Sequence, residues 1–361
     1  MLNFCVGPVM SSEEVLKVGG EQVPYFRTPE FSKVMLENEK MVREFAKADE
    51  DSRVVFLTGS GTAAMEAAVI NTLCEEDKAI VVNGGSFGDR FEKLLKIHKI
   101  PHDAIRLEAG HPLTAEDLAP FEGKGYTAFL VNVDETSTGV LYDMEMISDF
   151  TKRNGIFLIA DAVSAFLTDP FEMKKWNVGV MLTGSQKALA CAPGISLLVL
   201  SKEAQERIER IDCGCMYLNL KDALKNGERG QTPFTPAVGT LLQIHARLKS
   251  IEAKGGVDAE LEHADQMAKY FRSKLAGFPF ELFSQSPANG VTSLRMTNGQ
   301  SAYDVFTILK DEYGIWVCPN GGELRDKVFR VGHMGDLHEK DYDILMNALN
   351  DLTKRGFWKE G

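Results

Sequence analysis

Residues 180–200 read VMLTGSQKALACAPGISLLVL, and this stretch decides the fold class. Two apolar runs, Val180–Thr183 and Ile195–Leu200, enclose a shorter segment that carries Lys187. Neither run alternates between apolar and polar residues, so each predicts a strand that is buried on both faces. Such strands are typical of a mostly parallel sheet covered by helices.

Similar apolar runs precede this stretch, at intervals that leave room for helices. The runs are Val54–Thr58, Ala79–Asn83, Ala128–Val133 and Phe157–Ala160. Helical patterns lie between them, among them Thr62–Leu73, Arg90–His98 and Met144–Asn154. This alternation of strand and helix predicts an α/β fold with right-handed crossover connections.

After about Thr235 the pattern changes to that of a smaller α+β unit. Helices are predicted at Pro236–Lys254, Ala259–Leu275, Ala302–Tyr313 and Glu339–Lys354, and strands at Glu281–Ser284, Thr292–Met296, Trp316–Cys318 and Phe329–Val331. The 361 residues also exceed the usual size of one hydrophobic core. We expect a large domain over residues 21–250, a small C-terminal domain over residues 251–361, and an N-terminal segment, residues 1–20, that packs with the small domain.

Charge and composition exclude several kinds of partner. The net charge of −12 argues against nucleic acid and anionic membrane surfaces, which both favour surfaces rich in Lys and Arg. No apolar run reaches the roughly 18–20 residues that span a bilayer, and the first residues, MLNFCVGPVMSSEEV, lack the pattern of a signal peptide. The six cysteines and seven histidines show no metal-binding spacing, so no metal site is predicted. We expect a cytoplasmic protein with reduced thiols.

Polar residues follow three of the predicted strands. The first strand ends in Gly59-Ser60-Gly61-Thr62, which could hold a phosphate at a helix N-terminus or simply start the helix with a Ser N-cap. Asp161 follows Phe157–Ala160, either as a carboxylate with a cationic partner or as another N-cap. Lys187 follows Val180–Thr183, either as a desolvated amine that forms a Schiff base or as a lysine that reaches solvent.

Together, the three groups match the needs of one cofactor. Pyridoxal 5′-phosphate requires an anion site for its phosphate, a carboxylate for its pyridine nitrogen and a lysine for its aldehyde. The sequence supplies them in that order, each at the carboxyl end of a strand, where open α/β sheets bind ligands. The 26 residues from Asp161 to Lys187 allow a helix and a strand to return to the same sheet edge. A pyridoxal phosphate site is therefore predicted.

The motifs resemble those of the class V aminotransferases of pyridoxal phosphate fold type I. Within that family the sequence looks closest to the branch of alanine–glyoxylate, serine–pyruvate and 2-aminoethylphosphonate–pyruvate aminotransferases. The matching segments are Val6-Gly7-Pro8, Pro29-Glu30-Phe31, Gly59–Thr62, Asn83–Gly88, Glu135–Val140, Asp161–Ser164, Gly184–Leu189, Pro193-Gly194, Thr232-Pro233 and Phe329–Gly332. The resemblance implies a large domain with a mostly parallel seven-stranded sheet, a smaller α+β domain and a homodimer whose active sites are completed across the interface.

The resemblance also implies roles for individual residues. Lys187 and Asp161 are the expected catalytic residues, with Lys187 as the Schiff-base lysine. The other expected cofactor contacts are Ser60, Gly61 and Thr62 at the phosphate, Val163 and Phe87 on the two ring faces, Gln186 and Thr136 nearby, and Thr232 from the neighbouring subunit. Thr235 is an alternative to Thr232, since this segment aligns loosely. Arg330 is expected to bind the substrate carboxylate, beside Gly7.

The reaction implied is transfer of an amino group from a small donor to a 2-oxo acid, of the alanine/serine–glyoxylate/pyruvate type. A 2-aminoethylphosphonate–pyruvate aminotransferase is the alternative, with Arg27 holding the phosphonate or a second acidic group; Arg27 could instead pair with Glu30. A cysteine desulfurase-like lyase would need a mobile nucleophilic thiol, for which Cys191 or Cys318 are candidates. The apolar neighbours of both favour buried structural thiols.

Overall fold

A computed structural model describes residues 1–359 of the chain. The strands are β1 (Leu2–Asn3), β2 (Arg53–Thr58), β3 (Ala79–Asn83), β4 (His102–Arg106), β5 (Ala128–Asn132), β6 (Asp134–Glu135), β7 (Val140–Leu141), β8 (Phe157–Asp161), β9 (Val178–Gly184), β10 (Ile195–Leu200), β11 (Phe280–Leu282), β12 (Val291–Met296), β13 (Ile315–Trp316), β14 (Cys318–Pro319) and β15 (Val328–Gly332). The α-helices are α1 (Glu13–Gly19), α2 (Pro29–Phe45), α3 (Gly61–Thr72), α4 (Ser86–Ile97), α5 (Ala115–Leu118), α6 (Met144–Asn154), α7 (Lys202–Arg210), α8 (Leu220–Gly227), α9 (Val238–Ala253), α10 (Gly256–Arg272), α11 (Ala302–Tyr313) and α12 (Glu339–Lys354).

A seven-stranded sheet forms the larger layer, in the order β2-β10-β9-β8-β5-β3-β4. Strands β9, β8, β5, β3 and β4 run parallel to one another, whereas β10, between β9 and β2, is antiparallel to both. In the ladder, Asp161 lies opposite Asn132 on one side and Leu182 on the other. The predicted α/β fold with a mostly parallel sheet is confirmed.

Both faces of this sheet are covered, as the apolar runs predict. Along β2, Val54 and Phe56 enter one hydrophobic core cluster, whereas Val55 and Leu57 enter the other. Because successive side chains in a strand point to opposite faces, each core takes alternate residues. Each fully buried Val, Leu or Phe contributes about 1.5–3 kcal/mol, so the two cores hold the sheet edge that carries the polar residues in place.

The edge strand β4 was not predicted from the sequence. It pairs in parallel with β3, and of its five residues, HDAIR, Ile105 alone is buried. An edge strand with mixed polarity does not produce the continuous apolar run that marks a central strand.

A second, four-stranded antiparallel sheet has the order β11-β12-β15-β14. It shares a hydrophobic core with α10, α11 and α12, and Phe4 from the start of the chain lies in that core. The single strand predicted at Trp316–Cys318 is wrong in one respect, because it is two strands. Residues Ile315–Trp316 pair with β1, whereas Cys318–Pro319 pair with β15. Among residues 1–359, no helix is long and apolar enough to cross a membrane.

Candidate active site

Lys187 lies in the turn that follows β9, and its amine is buried. The residue is 7% exposed, and its Nζ donates a hydrogen bond of 2.6 Å to the carbonyl oxygen of Val6. Burial lowers the pKa of the amine to about 8. Gly7 has a φ of +132°, and a Cβ there would lie 2.8 Å from Cδ of Lys187, so only glycine leaves room for this side chain. The alternative of a solvent-reaching lysine is wrong.

Asp161 is the last residue of β8 and is also buried. One carboxylate oxygen accepts the Val163 N–H at 2.8 Å and the other accepts Nδ2 of Asn132 at 2.7 Å. Burial raises the pKa of this carboxyl to about 6, against the opposing effect of the two hydrogen bonds. Residues 163–168 form turns rather than an α-helix, so Asp161 is not the helix N-cap that the sequence also allowed.

The Gly59–Thr62 segment leads from β2 into α3, as predicted. Ser60 is the N-cap residue by position, but its hydroxyl makes no capping hydrogen bond within residues 1–359, and it is exposed. Thr62 Oγ1 accepts a hydrogen bond of 3.0 Å from Arg90. A Cβ on Gly61 would lie 3.2 Å from Cγ2 of Val163, so the glycine lets this helix start approach the segment after Asp161. The Ala63 N–H donates to the Ser60 carbonyl at 2.8 Å. Within residues 1–359, the N–H groups of Gly61 and Thr62 and the Ser60 hydroxyl make no such bond and remain available to an anion.

Phe87 lies in the first turn of α4, and two cationic side chains lie near its ring. Lys187 Nζ is 6.0 Å from the ring centroid and Arg90 Cζ is 4.8 Å from it. The buried carboxylate of Glu135 accepts the backbone N–H groups of Phe87 and Gly88, which holds the start of the helix. The fold thus brings Phe87 close to Lys187. Arg90 connects Phe87 to the start of α3, because it lies near the Phe87 ring and donates to Thr62.

Arg330 lies on β15 and is 8% exposed. Its Nη1 donates to the Thr136 carbonyl at 3.0 Å and its Nη2 donates to the Pro319 carbonyl at 2.7 Å. The hydroxyl of Thr136 is 2.6 Å from that of Ser164. Burial is the main cause of the lowered pKa of Lys187, and the positive charge of Arg330 lowers that pKa further.

The remaining predicted residues divide into two groups. Gln186 is half-buried beside Lys187, and its side-chain oxygen would lie 2.8 Å from a Cβ on Gly184. Thr232 belongs instead to the segment after α8, which passes the end of β2. Arg27 lies in the segment before α2. The Thr232 hydroxyl donates to the Phe234 carbonyl at 2.7 Å.

Arg27 is held by the segment that contains Thr232. Its guanidinium donates to Oε1 of Gln231 at 3.1 Å, to the Thr232 carbonyl at 2.8 Å and to the Pro233 carbonyl at 3.1 Å. Within residues 1–359 these are its hydrogen bonds, so the alternative pairing with Glu30 is wrong.

Comparison with known proteins decides the family. The family model described as "Aminotransferase class-V" matches residues 24–323. The chain belongs to the class V aminotransferase family. An "uncharacterized aminotransferase" of Helicobacter pylori is 30% identical to this aminotransferase, over 99% of this chain and 96% of that one. An "L-aspartate–glyoxylate aminotransferase" of Paracoccus denitrificans is 26% identical, over 92% and 86% of the two chains.

Solved structures agree on the fold. An alanine–glyoxylate aminotransferase from Nostoc superposes with a TM-score of 0.91 at 24% identity, covering 98% of this aminotransferase and 95% of that chain. The fold is that of the type I pyridoxal phosphate enzymes, as the motifs indicate, and the predicted family is confirmed.

Pyridoxal 5′-phosphate is the cofactor of this class V aminotransferase. Unpartnered buried atoms near Lys187 fit such a polar group. Within residues 1–359, these include Oδ1 of Asn132, both carboxylate oxygens of Asp134 and Nε of Arg330. Burial raises the pKa of Asp134 well above its usual range, and the charge of Lys187 opposes this rise. Since buried polar groups are normally hydrogen-bonded, these atoms indicate a site built for more than the protein's own contacts.

Several of these residues were missed by sequence reasoning. Arg90 follows Phe87 by three residues, one helical turn, and this spacing could have indicated it. Asn132 ends the strand beside Asp161, which a topology prediction could have used. The Val6 carbonyl gave no signal, because the acceptor of the Lys187 hydrogen bond is a backbone group 181 residues away.

Proposed function

We propose that this aminotransferase transfers an amino group from a small amino donor to a 2-oxo acid, of the alanine/serine–glyoxylate/pyruvate type. The observation that carries the proposal is Arg330, a buried guanidinium whose Nε has no partner within residues 1–359 and whose charge lowers the pKa of Lys187. A single guanidinium can bind a single carboxylate group, and one carboxylate is the feature that small amino acids and 2-oxo acids share.

The cofactor contacts follow from the same arrangement. Asp161 would pair with the pyridine nitrogen, because a cation there would offset the burial of its carboxylate. The phosphate would lie at the α3 N-terminus, and the ring would be covered by two side chains, with two more polar residues nearby. The residues assigned to these roles are Ser60, Gly61, Thr62, Val163, Phe87, Gln186 and Thr136. When bound, the cofactor withdraws electrons from the substrate Cα and so makes its proton acidic.

Lys187 would transfer that proton. Burial lowers the pKa of this amine to about 8, which favours its neutral, proton-accepting form more than in a lysine exposed to solvent. Nζ would remove the proton from the substrate Cα and deliver it to C4′ of the cofactor. Gly7 leaves the room in which the side chain moves, since a Cβ at that position would meet Cδ of Lys187.

Arg330 would orient the substrate for this transfer. Its two Nη atoms are fixed by the carbonyl oxygens of Thr136 and Pro319. A fixed guanidinium holds the carboxylate in one orientation and thereby sets the direction of the Cα–H bond, which is a positioning effect.

The phosphonate alternative has less support. Arg27 would have to release hydrogen bonds to Gln231, Thr232 and Pro233 before it could bind a phosphonate. Because those bonds also fix the loop that follows α8, their loss would carry a conformational cost in addition to the lost contacts. We therefore infer that Arg27 stabilises this loop rather than contacts the substrate.

We also propose a homodimer whose interface includes the surface around Phe234. Tyr217 stacks on Phe234 at 5.5 Å, and the exposed apolar side chains Val23, Tyr25 and Met216 lie on the same or adjoining segments. Such a surface is typical of a protein interface.

Thr235 is exposed, whereas Thr232 is buried and its hydroxyl donates to a carbonyl, so Thr235 is the better candidate to reach the neighbouring cofactor. Sedimentation equilibrium should give a dimer, and Thr235→Val should weaken cofactor binding more than Thr232→Val does.

We further propose that the chain functions in the cytoplasm and divides into residues 1–20, 21–250 and 251–361. All six cysteines are free thiols, which suits a reducing compartment. The pairing of β1 with β13 supports packing of the first segment with the C-terminal part.

Half-reactions test the proposed substrates. The purified holoenzyme is mixed with alanine, serine, glutamate, 2-aminoethylphosphonate or cysteine, and its absorbance between 330 and 430 nm is followed. We expect alanine or serine to convert the cofactor to its amine form, and Lys187→Ala to abolish the conversion. Arg295→Gln, at an exposed ion pair with Glu281, is the matched control and should leave the rate with alanine unchanged. If 2-aminoethylphosphonate alone reacts, the alternative is correct; if cysteine alone reacts and releases sulfide, the aminotransferase reaction proposed is wrong.

A further inference from the structure

Two thiols lie side by side at the edge of the site, and the proposed reaction uses neither. Strand β1 pairs in parallel with β13, where Asn3 is opposite Trp316, and the Phe4 N–H extends the ladder with a bond of 2.7 Å to the Trp316 carbonyl. Two residues further in this register, Cys5 lies beside Cys318. Neighbouring strands are about 4.8 Å apart, a spacing within the Cα separation that a disulfide accepts.

The pair also borders the groups assigned to substrate and cofactor. Cys318 is opposite Arg330 in the β14–β15 ladder. Cys5 directly precedes Val6, whose carbonyl accepts the hydrogen bond from Lys187. A change in the distance between the two sulfur atoms would therefore shift the backbone next to Arg330 and the backbone next to the Lys187 amine.

The two thiols differ in reactivity. The Cys5 thiol donates to the Val317 carbonyl at 3.6 Å, next to Cys318. Its proximity, followed by the charges of Arg330 and Lys187, lowers the pKa of Cys318, while the proximity of Cys318 raises the pKa of Cys5. Both residues are half-buried rather than enclosed. The sequence-based expectation of a buried structural thiol is therefore wrong for Cys318, although Cys191 is buried. A low-pKa, accessible thiol next to a second thiol is the arrangement of an oxidation-sensitive pair.

We propose that Cys5 and Cys318 form a reversible disulfide beside the substrate site, with a peroxide as oxidant, and that its closure slows the enzyme. The Cys318 thiolate attacks one peroxide oxygen, which breaks the O–O bond, gives a sulfenic acid and releases hydroxide that takes a proton to become water. The Cys5 sulfur then attacks the Cys318 sulfur, its proton leaves with the hydroxyl group as a second water, and the S–S bond forms. In total, two thiols are oxidised and one hydrogen peroxide is reduced to two waters.

Peptide mapping of the oxidised holoenzyme tests this directly. The enzyme is treated with equimolar hydrogen peroxide, remaining thiols are alkylated, and the tryptic digest is analysed by mass spectrometry. We expect residues 1–17 linked to residues 311–325, with loss of two hydrogen atoms, and release by dithiothreitol. Activity should fall about tenfold or more as the link forms, because even a displacement near 1 Å in a site is costly, and dithiothreitol should restore it.

Variants separate this pair from the other cysteines. Cys5→Ser should keep its activity before oxidation and should form no link. Cys74→Ser is the matched control, since Cys74 is also half-buried and its thiol contacts Asp77 at 3.5 Å; it should link and lose activity as the unmodified enzyme does. Absence of the 1–17 to 311–325 link, or a complete link with unchanged activity, would overturn the proposal. Both readouts are independent of which amino donor the enzyme prefers.

Discussion

Two buried polar clusters of this enzyme differ in how completely they are satisfied. In the small sheet, both ring nitrogens of His333 have partners: Nε2 is 2.7 Å from the Thr292 hydroxyl and Nδ1 is 2.9 Å from the Tyr342 hydroxyl. Arg272 donates to Thr292 in turn. Around Lys187, by contrast, atoms of Asn132, Asp134 and Arg330 have no partner within residues 1–359.

The difference separates structural from functional polarity. A saturated network lowers the free energy of the fold and offers nothing to a ligand, whereas an unsaturated one costs stability until a ligand supplies the missing partners. On this view the His333 cluster should respond to mutation through stability, and the Lys187 cluster through activity.

The largest effect is expected at Arg330. Arg330→Gln removes the charge-assisted hydrogen bonds to the substrate carboxylate, at about 1.5–3 kcal/mol each, so kcat/KM should fall about 10³-fold. Arg295→Gln is the matched control, because Arg295 lies in the same sheet but forms an exposed ion pair with Glu281; steady-state kinetics should show no change there. If kcat/KM fell equally in both variants, the proposal that Arg330 binds the substrate carboxylate would be wrong.

His333→Ala should instead lower the free energy of unfolding. The change leaves the hydroxyls of Thr292 and Tyr342 short of a partner in a buried position, which costs about 2–4 kcal/mol. Urea denaturation measures the loss, and kcat per folded enzyme should stay within about twofold. His98→Ala, which removes a half-buried contact with Glu66 at 2.9 Å, should cost less than about 1 kcal/mol. A large fall in kcat for His333→Ala would contradict the distinction between the clusters.

The smallest effect is a gain in stability from Asp161→Asn in protein stripped of cofactor. Burial raises the pKa of Asp161 from 3.8 to about 6, so this carboxyl favours the folded state below pH 3.8 and loses that contribution as pH rises through 6. Two pKa units correspond to at most about 3 kcal/mol. Oδ1 of Asn132 has no partner within residues 1–359, and after a flip of the Asn132 amide it can accept a hydrogen bond from the new amide at position 161.

Urea unfolding at pH 4 and pH 7 would measure this gain. The two proteins should unfold alike at pH 4, and the variant should be the more stable at pH 7. Bound pyridoxal phosphate should narrow the gap, because it stabilises the unmodified protein more. A gap that is the same at both pH values would show that ionisation of Asp161 is not its cause.

The sequence predicted the fold more completely than it predicted the side-chain contacts at the site. Apolar runs such as Val180–Thr183 gave the parallel sheet, and the motifs around Asp161 and Lys187 gave the family and the cofactor. Edge strand β4 was missed, since partial exposure removes the periodic signal. Roles of individual site residues remain predictions.

The contacts that were missed depend on chain segments far apart in sequence. Arg27 illustrates this, because its acceptors are mostly backbone carbonyls, which every residue carries and no motif marks. The Val6 carbonyl beside Lys187 is another such case. Residue types can predict which side chains carry chemistry, but the partners of those side chains depend on tertiary register.

The pairing of Leu2 with Ile315 has a consequence for biosynthesis. On the ribosome, the first residues emerge long before the strand that will hold them, so β1 and the Val6 carbonyl remain without their partners until more than 300 further residues have been translated. Contacts of such long range form late in folding. Assembly around Lys187 therefore waits until the residues around Ile315 have been translated, and a nascent chain that stalls before them cannot yet present its reactive amine in the finished setting.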